Sequence, residues 1–322
     1  MQQRLFGRTG WRVSEIGYGM WGMGGWSGSD DAESLASLHQ AVEAGCTFFD
    51  TAWAYGRGHS ESLLGQVVRA HADRALVVAT KIPPKNMEWP GKATAAAADT
   101  YPPDHIRAYT DESLRHLGLE RIDLMQFHVW DDAWASDPHW PEAIAELKRS
   151  GKIKAFGISV NRWQPDNVRR ALDTGVVDAV QVVYNLFDQA PEDHLFPACR
   201  ARGIAVIARV PFDEGSLTGT LTRDSRWPEG DWRNSYFTPA HLEATLARVE
   251  RLAPLVPDGT TLSDLALRFI LSSPDVSTVI PGMRKSRHVA ANLAASERGP
   301  LPQELRDALR AHRWDRTPST TP

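Results

Sequence analysis

Short apolar runs alternate along this chain with longer stretches in which apolar side chains recur every three or four positions, from Ser14 to about Ala295. Runs of the first kind, bounded by turn residues, read as strands; the second spacing reads as helices that bury one face. Strand-like Ile16–Met20 leads through a Gly/Trp loop to a helix opened by Ser29 or Asp30, with Leu35, Leu38, Ala41 and Val42 on one side and a stop at Gly45. The unit then repeats in kind. Strand Cys46–Ala52 precedes helix Ser60–His71, strand Ala75–Ile82 precedes a long loop and helix Asp104–Leu117, and strand Ile122–Val129 precedes helix Pro141–Ser150. Ile153–Val160 pairs with helix Pro165–Thr174, Asp178–Asn185 with Pro191–Arg202, and Ile204–Val210 with a second long loop and Pro239–Leu255. A further helix, Leu262–Ser272, precedes strand Val276–Ile280, and Ser286–Ala295 closes the series.

Strands that are apolar on both faces and separated by amphipathic helices predict parallel pairing with the helices outside. Eight such units in about 300 residues predict an α/β fold, a (β/α)8 TIM barrel with long loops at its C-terminal face. Ahead of it, the two apolar pieces around Arg8-Thr9-Gly10 predict an N-terminal β-hairpin cap. A doubly wound sheet is the alternative, but it calls for a Gly-rich phosphate turn after an early strand, and Gly22-Met-Gly-Gly25 lacks that spacing. The expected organisation is one barrel domain over 1–316 and a disordered polar tail over 317–322. The loops near 83–103 and 212–237 exceed ordinary connections and read as lids.

Composition narrows the partners. The net charge is −4 and no run of five basic residues occurs, so nucleic acid is not expected. No window of eighteen apolar residues or signal-like start is present, so the expectation is a cytoplasmic protein off the membrane. Cys46 and Cys199 lack metal-ligand spacing and read as buried free thiols in a reducing compartment, with no metal site. Twelve tryptophans is a high count, and Trp21, Trp26, Trp89, Trp130, Trp134, Trp227 and Trp232 fall in loops. Of these, Trp21, Trp26, Trp89, Trp130 and Trp232 are assigned to the wall of a substrate mouth.

Strand ends carry the candidate chemistry. Asp50, Lys81 and His128 end the second, third and fourth strands, and Tyr55 follows Asp50 in a Gly-punctuated turn, so all four converge on one face of a barrel. A phenol with a reference pKa near ~10 is a poor acid at neutral pH, and a nearby ammonium is expected to lower it by ~1 to 3 units. Lys81 supplies that ammonium, Asp50 keeps it charged and oriented, and His128 can hydrogen-bond a carbonyl oxygen. Taken singly, each has an ordinary structural explanation as a turn cap, a packed ring, a solvated lysine or a core histidine. Together they form a proton-donating site that lacks a hydride, and a hydride requires a cofactor.

In order and spacing, Asp50, Tyr55 and Glu61 within Gly45–Gly65, then Lys81, then His128, the chain resembles the aldo-keto reductase family, from Arg4-Leu-Phe-Gly-Arg-Thr-Gly10 to about Asn292. The resemblance implies NADP(H)-dependent reduction of an aldehyde or ketone, or oxidation of the alcohol, with Tyr55 as general acid and base. It implies that Ser159, Asn161 and Gln181 hold the nicotinamide amide, with Asp50 and the Gly19, Met20 and Trp21 turn beside them. The loop Arg209, Val210, Pro211, Phe212 through Gly215, Leu217 and Gly219 would wrap the pyrophosphate. Gly282, Met283, Arg284, His288 and Asn292 would take the adenosine end, where Arg284, with Lys285, favours NADP(H) over NAD(H). Arg209 stands where many members place an aromatic residue, and Val160 separates Ser159 from Asn161. Two other readings stay open. One is a nucleotide-binding regulatory barrel of the channel-subunit kind, and the other a hydrolase using Asp50 and Glu61. The substrate is a small carbonyl or alcohol, and oligomeric state is left open.

Overall fold

The structure, a computed structural model, describes residues 1–25 and 28–316. Trp26 and the 317–322 tail lie outside the described residues. At the lower end, β1 (Gln3–Leu5) runs antiparallel to β2 (Arg12–Ser14), with Arg4 opposite Val13. The hairpin seals the barrel. Phe6 and Val13 are fully buried against Phe48, Leu124, Ile207 and a ring of alanines, Ala79, Ala155, Ala179 and Ala205. Those small side chains leave room for the Phe6 and Phe48 rings, whose centroids lie 5.3 Å apart.

Eight parallel strands follow. The first is β3 (Tyr18–Gly19), followed by α1 (Asp31–Glu43), whose first turn is capped by the Asp30 carboxylate accepting from Glu33 N at 2.8 Å. Then come β4 (Phe48–Asp50), α2 (His59–Ala70), β5 (Val77–Ile82), the one-turn α3 (Ala97–Thr100), α4 (Pro103–Leu117), β6 (Ile122–Phe127) and α5 (His139–Arg149). The second half contains β7 (Ile153–Ser159), α6 (Arg169–Leu172), β8 (Ala179–Val183), α7 (Leu195–Arg202), β9 (Ala205–Arg209), α8 (Arg233–Tyr236) and α9 (Pro239–Leu252). It ends with α10 (Leu262–Leu271), β10 (Thr278–Val279), α11 (Ser286–Arg298) and α12 (Gln303–Arg310). Each strand from β3 to β10 pairs with its successor, and parallel bridges from Ile16 to Val279 and from Gly19 to Gly282 close the ring. Gly19 makes that closure possible, because a Cβ there would stand 2.6 Å from the Ile280 carbonyl oxygen.

Two expectations change. Helix Pro165–Thr174 shrinks to α6, because Val168 leaves helical geometry at φ −155°, ψ −5°. The helix begins only where an outside carboxylate supplies acceptors: Asp132 takes the Arg170 and Ala171 N–H groups at 2.7 and 3.0 Å. In addition, α12 follows the helix expected to be last, its Leu305 and Leu309 packing on the core. Cys46 and Cys199 are free and buried. Among the described residues no helix is long and apolar enough to cross a membrane.

Candidate active site

Lys81 is the hub. Side chains alternate along a strand, so Ala79 and Lys81 on β5, and Gln126 and His128 at the end of β6, share the inward face. The Lys81 ammonium is wholly buried and donates to Asp50 Oδ2 at 2.6 Å, to the Thr51 carbonyl at 2.8 Å and to the Tyr55 hydroxyl at 3.5 Å. Its three N–H bonds are thus all directed. The other carboxylate oxygen of Asp50 accepts from Gln181 Nε2 at 2.8 Å and from Gln126 Nε2 at 3.2 Å. Three donors thus converge on the two Asp50 oxygens and fix the carboxylate against Lys81. The Tyr55 and His128 rings meet edge to face at 5.7 Å, so phenol and imidazole converge on one point above the sheet.

Burial sets the proton affinities. Desolvation raises the Tyr55 pKa above its ordinary value, and the Lys81 cation only partly offsets this. The lowering expected from the ammonium is therefore corrected: in a site this dry, loss of water around the phenolate outweighs one cation. His128 moves the other way, well below the usual histidine range, through desolvation and then through the Lys81 and Arg209 charges. It is a neutral imidazole at physiological pH, able to donate one N–H. Arg209, half-buried at the end of β9, is pulled down to about 10 by desolvation and by the neighbouring Arg162, and remains charged at neutral pH.

The two long loops stand over this pair. The first carries Trp89, whose ring lies edge-on to His128 at 5.9 Å, and the second carries Trp232, edge-on to Trp21 at 6.5 Å. All three rings are partly open to solvent. Trp130 does not join them. It is 1% exposed and packs on Phe127, Trp134 and Trp140 beneath the mouth, which corrects its assignment to the substrate wall. The Asn161 amide exchanges hydrogen bonds with the Gly91 backbone at 2.9 and 3.3 Å and so pins the first loop. Glu61 is buried away from Asp50, accepting from Thr80 Oγ1 at 2.6 Å and meeting His116 Nδ1 at 2.9 Å. The two-carboxylate hydrolase pair does not form.

Along the rest of the rim, Ser159 pairs in register with Gln181, and Gly19 N donates to the Pro281 carbonyl at 3.0 Å. Leu217 and Met283 have their side chains in the core, while Gly215, Gly219 and Gly282 open onto free space. The stretch after β9 is strained, with Val210, Asp213 and Glu214 at φ +56°, +44° and +57°. Such left-handed turns in non-glycine residues cost of order 1–3 kcal/mol each and persist where surroundings hold them. At the N-terminus of α11, Arg284, Lys285, Arg287 and His288 cluster, and after desolvation the three cations Arg287, Lys285 and Arg284 depress the His288 pKa.

Several buried polar atoms around the rim find no hydrogen-bond partner among the described residues: His128 Nδ1, Arg209 Nε, Arg162 Nη1 and Asn292 Nδ2. Each such atom costs about 1–3 kcal/mol when left dry, so donors spread from the tetrad to α11 fit a long polar ligand such as a dinucleotide. Gln126 beside the tetrad, and Arg162, Tyr236 and Arg316 around the strained stretch, escaped the sequence reading, whereas Asp213 falls within the loop Arg209–Gly219 already assigned to the pyrophosphate. Only Gln126 carried a usable signal, two residues before His128 on the same strand face.

Comparison with known proteins agrees with this geometry. The profile described as "Aldo/keto reductase family" matches residues 15–313. The chain is 31% identical to the NADH-specific methylglyoxal reductase of Escherichia coli (strain K12), over 92% of this chain and 93% of that protein. Among solved structures it is similar to the holo form of aldo-keto reductase AKR11C1 from Bacillus halodurans, with a TM-score of 0.77, 26% identity and 98% of each chain covered. It is also similar to the glycerol dehydrogenase AKR11B4 from Gluconobacter oxydans, with a TM-score of 0.74, 28% identity, and 94% of this chain and 92% of that one covered.

Proposed function

We propose that this chain, which belongs to the aldo/keto reductase family, is an NADP(H)-dependent oxidoreductase that reduces an aldehyde or ketone to the alcohol, or runs the reverse oxidation. The observation that carries this reading is the buried Lys81 ammonium, shared between Asp50 and the Tyr55 hydroxyl at 2.6 and 3.5 Å. The nicotinamide cofactor supplies the hydride. Tyr55 holds the proton that the carbonyl oxygen needs, since its raised pKa keeps the phenol loaded at neutral pH. Neutral His128 orients the same oxygen through an N–H while carrying no charge of its own. Lys81 stabilises the phenoxide left after transfer, and Asp50, fixed by Gln126 and Gln181, keeps Lys81 aimed. The burial of Asp50, Lys81 and Tyr55 at the strand ends supports a dry floor to the site, in which these charges act at low dielectric.

The residues that would hold the dinucleotide run from Gln181 and Ser159 through the Arg209–Gly219 loop to Arg284 and Asn292. The three cations at the start of α11, Arg284, Lys285 and Arg287, support a 2′-phosphate, the feature that separates NADP(H) from NAD(H). Half-exposed Trp21, Trp89 and Trp232 support a substrate with an apolar or aromatic body next to an uncharged carbonyl. The test is a panel of carbonyls and alcohols, followed by the absorbance of the reduced nicotinamide with both coenzymes. We expect turnover with NADPH at a KM about tenfold or more below that for NADH, and an Arg284→Ala variant that narrows the gap. Strict use of NADH overturns the coenzyme assignment, and no turnover with either overturns the enzyme reading.

A further inference from the structure

The strained stretch after β9 is held by groups from four other parts of the chain. Asp213, fully buried at φ +44°, accepts from Ser216 Oγ at 2.8 Å within the loop and from the Tyr236 hydroxyl at 3.1 Å from α8. Its Oδ1 also pairs with Arg316 Nη2 at 2.9 Å. The same Nη2 reaches Asp188 Oδ2 at 2.5 Å, while Nη1 donates to the Tyr236 hydroxyl at 3.0 Å. Asp188 is itself fixed at the end of β8 by Asn185 Nδ2 at 2.9 Å, and that amide also donates to the Val210 carbonyl at 3.0 Å. Glu214, at φ +57°, pairs with Arg162, whose guanidinium lies 5.1 Å from the Tyr236 ring and 5.8 Å from the Trp232 ring. The guanidinium of Arg316 is sandwiched in turn by Trp163 and Trp314 at 5.3 and 4.7 Å.

We infer that Arg316, on the segment after α12, is a positioning residue for the pyrophosphate loop, locking Val210–Gly219 into its nucleotide-ready shape by bridging Asp188 and Asp213. Without it, two buried carboxylates lose the cation they share, so one must take up a proton or the left-handed turn must shift toward solvent, and either change undoes the bridge. Through Tyr236 and Arg162 the same clamp reaches α8 and Trp232, so the cofactor loop and one wall of the substrate mouth move as one body. The Nη1 and Nη2 groups of Arg316 are engaged by Asp188, Asp213 and the Tyr236 hydroxyl, so Arg316 acts on the loop and not on the reacting atoms. Its effect falls on coenzyme affinity, and not on the proton transfer at Tyr55. The inference rests on the nucleotide-binding reading above.

Three variants, Arg316→Leu, Arg316→Lys and Tyr236→Phe, are compared with the unaltered chain by NADP⁺ titration of tryptophan fluorescence and by amide hydrogen exchange in the nucleotide-free protein. For Arg316→Leu we expect NADP⁺ binding about tenfold weaker and exchange over 210–219 about tenfold faster, with exchange in the lower barrel unchanged. The nucleotide KM should rise while kcat at saturation stays within about threefold, and lysine should recover part of the affinity. Tyr236→Phe, which leaves the ion pair intact, should show a smaller loss of the same kind. Wild-type affinity and wild-type loop exchange in Arg316→Leu overturn the inference, as does exchange accelerated throughout the barrel. If Arg316→Leu does not accumulate as folded protein, unchanged NADP⁺ affinity in both other variants overturns it. An unaltered chain that binds neither NADP⁺ nor NAD⁺ removes the functional reading itself, and this inference with it.

Discussion

The two ends of the barrel are built from the same strands, a few residues apart, and obey opposite rules. At the lower end the interior is a dry layer of Phe6, Phe48, Leu124 and alanines, and its charges are matched: Asp178 takes Arg8 Nε at 3.1 Å, Lys148 Nζ at 2.5 Å and the Phe156 N–H at 3.0 Å. At the upper end the inward side chains are Asp50, Lys81, Gln126, Gln181 and Arg209, and four buried donors around them lack partners among the described residues. Fully satisfied groups stabilise, whereas unsatisfied ones cost stability and await a ligand. The difference teaches that the lower end commits its polar groups to sealing the ring, and that chemistry is placed where the strands end, on a frame already closed by the hairpin.

Separating those roles by mutation gives the largest effects. Tyr55→Phe removes the transferable proton while keeping the ring against His128, so carbonyl reduction should fall by ~10²–10⁴-fold. Its melting temperature and NADP⁺ affinity should match the unaltered chain; retained turnover would sink the proton-donor role. Phe6→Ala makes the converse test. Emptying the plug should destabilise the protein by about 3–5 kcal/mol in denaturant unfolding. The kcat per folded molecule should hold within about twofold if the two ends are independent. A matching loss of kcat would show that the hairpin reaches the site.

The same division explains what could be read in advance. The strand ends were legible because a short, near-continuous apolar run that stops on Asp50, Lys81 or His128 marks both an element and its mouth, and Tyr55 sits at a short fixed distance from one of them. Trp130 was misplaced for the same local reason: following His128 at the end of β6, it has the address of a mouth residue. The Trp134 and Trp140 rings that bury it come from the following 3₁₀ turn and α5. The clamp was not legible at all. Arg316 meets Asp188 across 128 positions, and nothing in the local text around either residue signals the other. Helix α6 shortened for a tertiary reason as well, since its start depends on Asp132 from another loop. Local pattern reports elements and their ends, whereas long-range pairing of charges becomes visible only once the ring is closed.

The smallest expected effect concerns direction. Because desolvation raises the Tyr55 pKa, the phenol stays protonated across neutral pH, and reduction should vary little between about pH 6 and pH 9. Alcohol oxidation needs the unprotonated phenol to accept a proton, so its kcat should climb with pH through that window without a plateau. Histidine 128 adds no acid limb within it, since its pKa lies well below the usual value. Arg209 and Lys81 are the two cations that oppose the rise at Tyr55. Replacing Arg209 by Gln removes one of them, raises the phenol further, and should move the oxidation limb to still higher pH while leaving reduction nearly flat. A plateau in oxidation near pH 8 in the unaltered chain would mean that the cations outweigh burial. In that case the upper end of the barrel is wetter than its packing implies, and the contrast with the plugged lower end narrows.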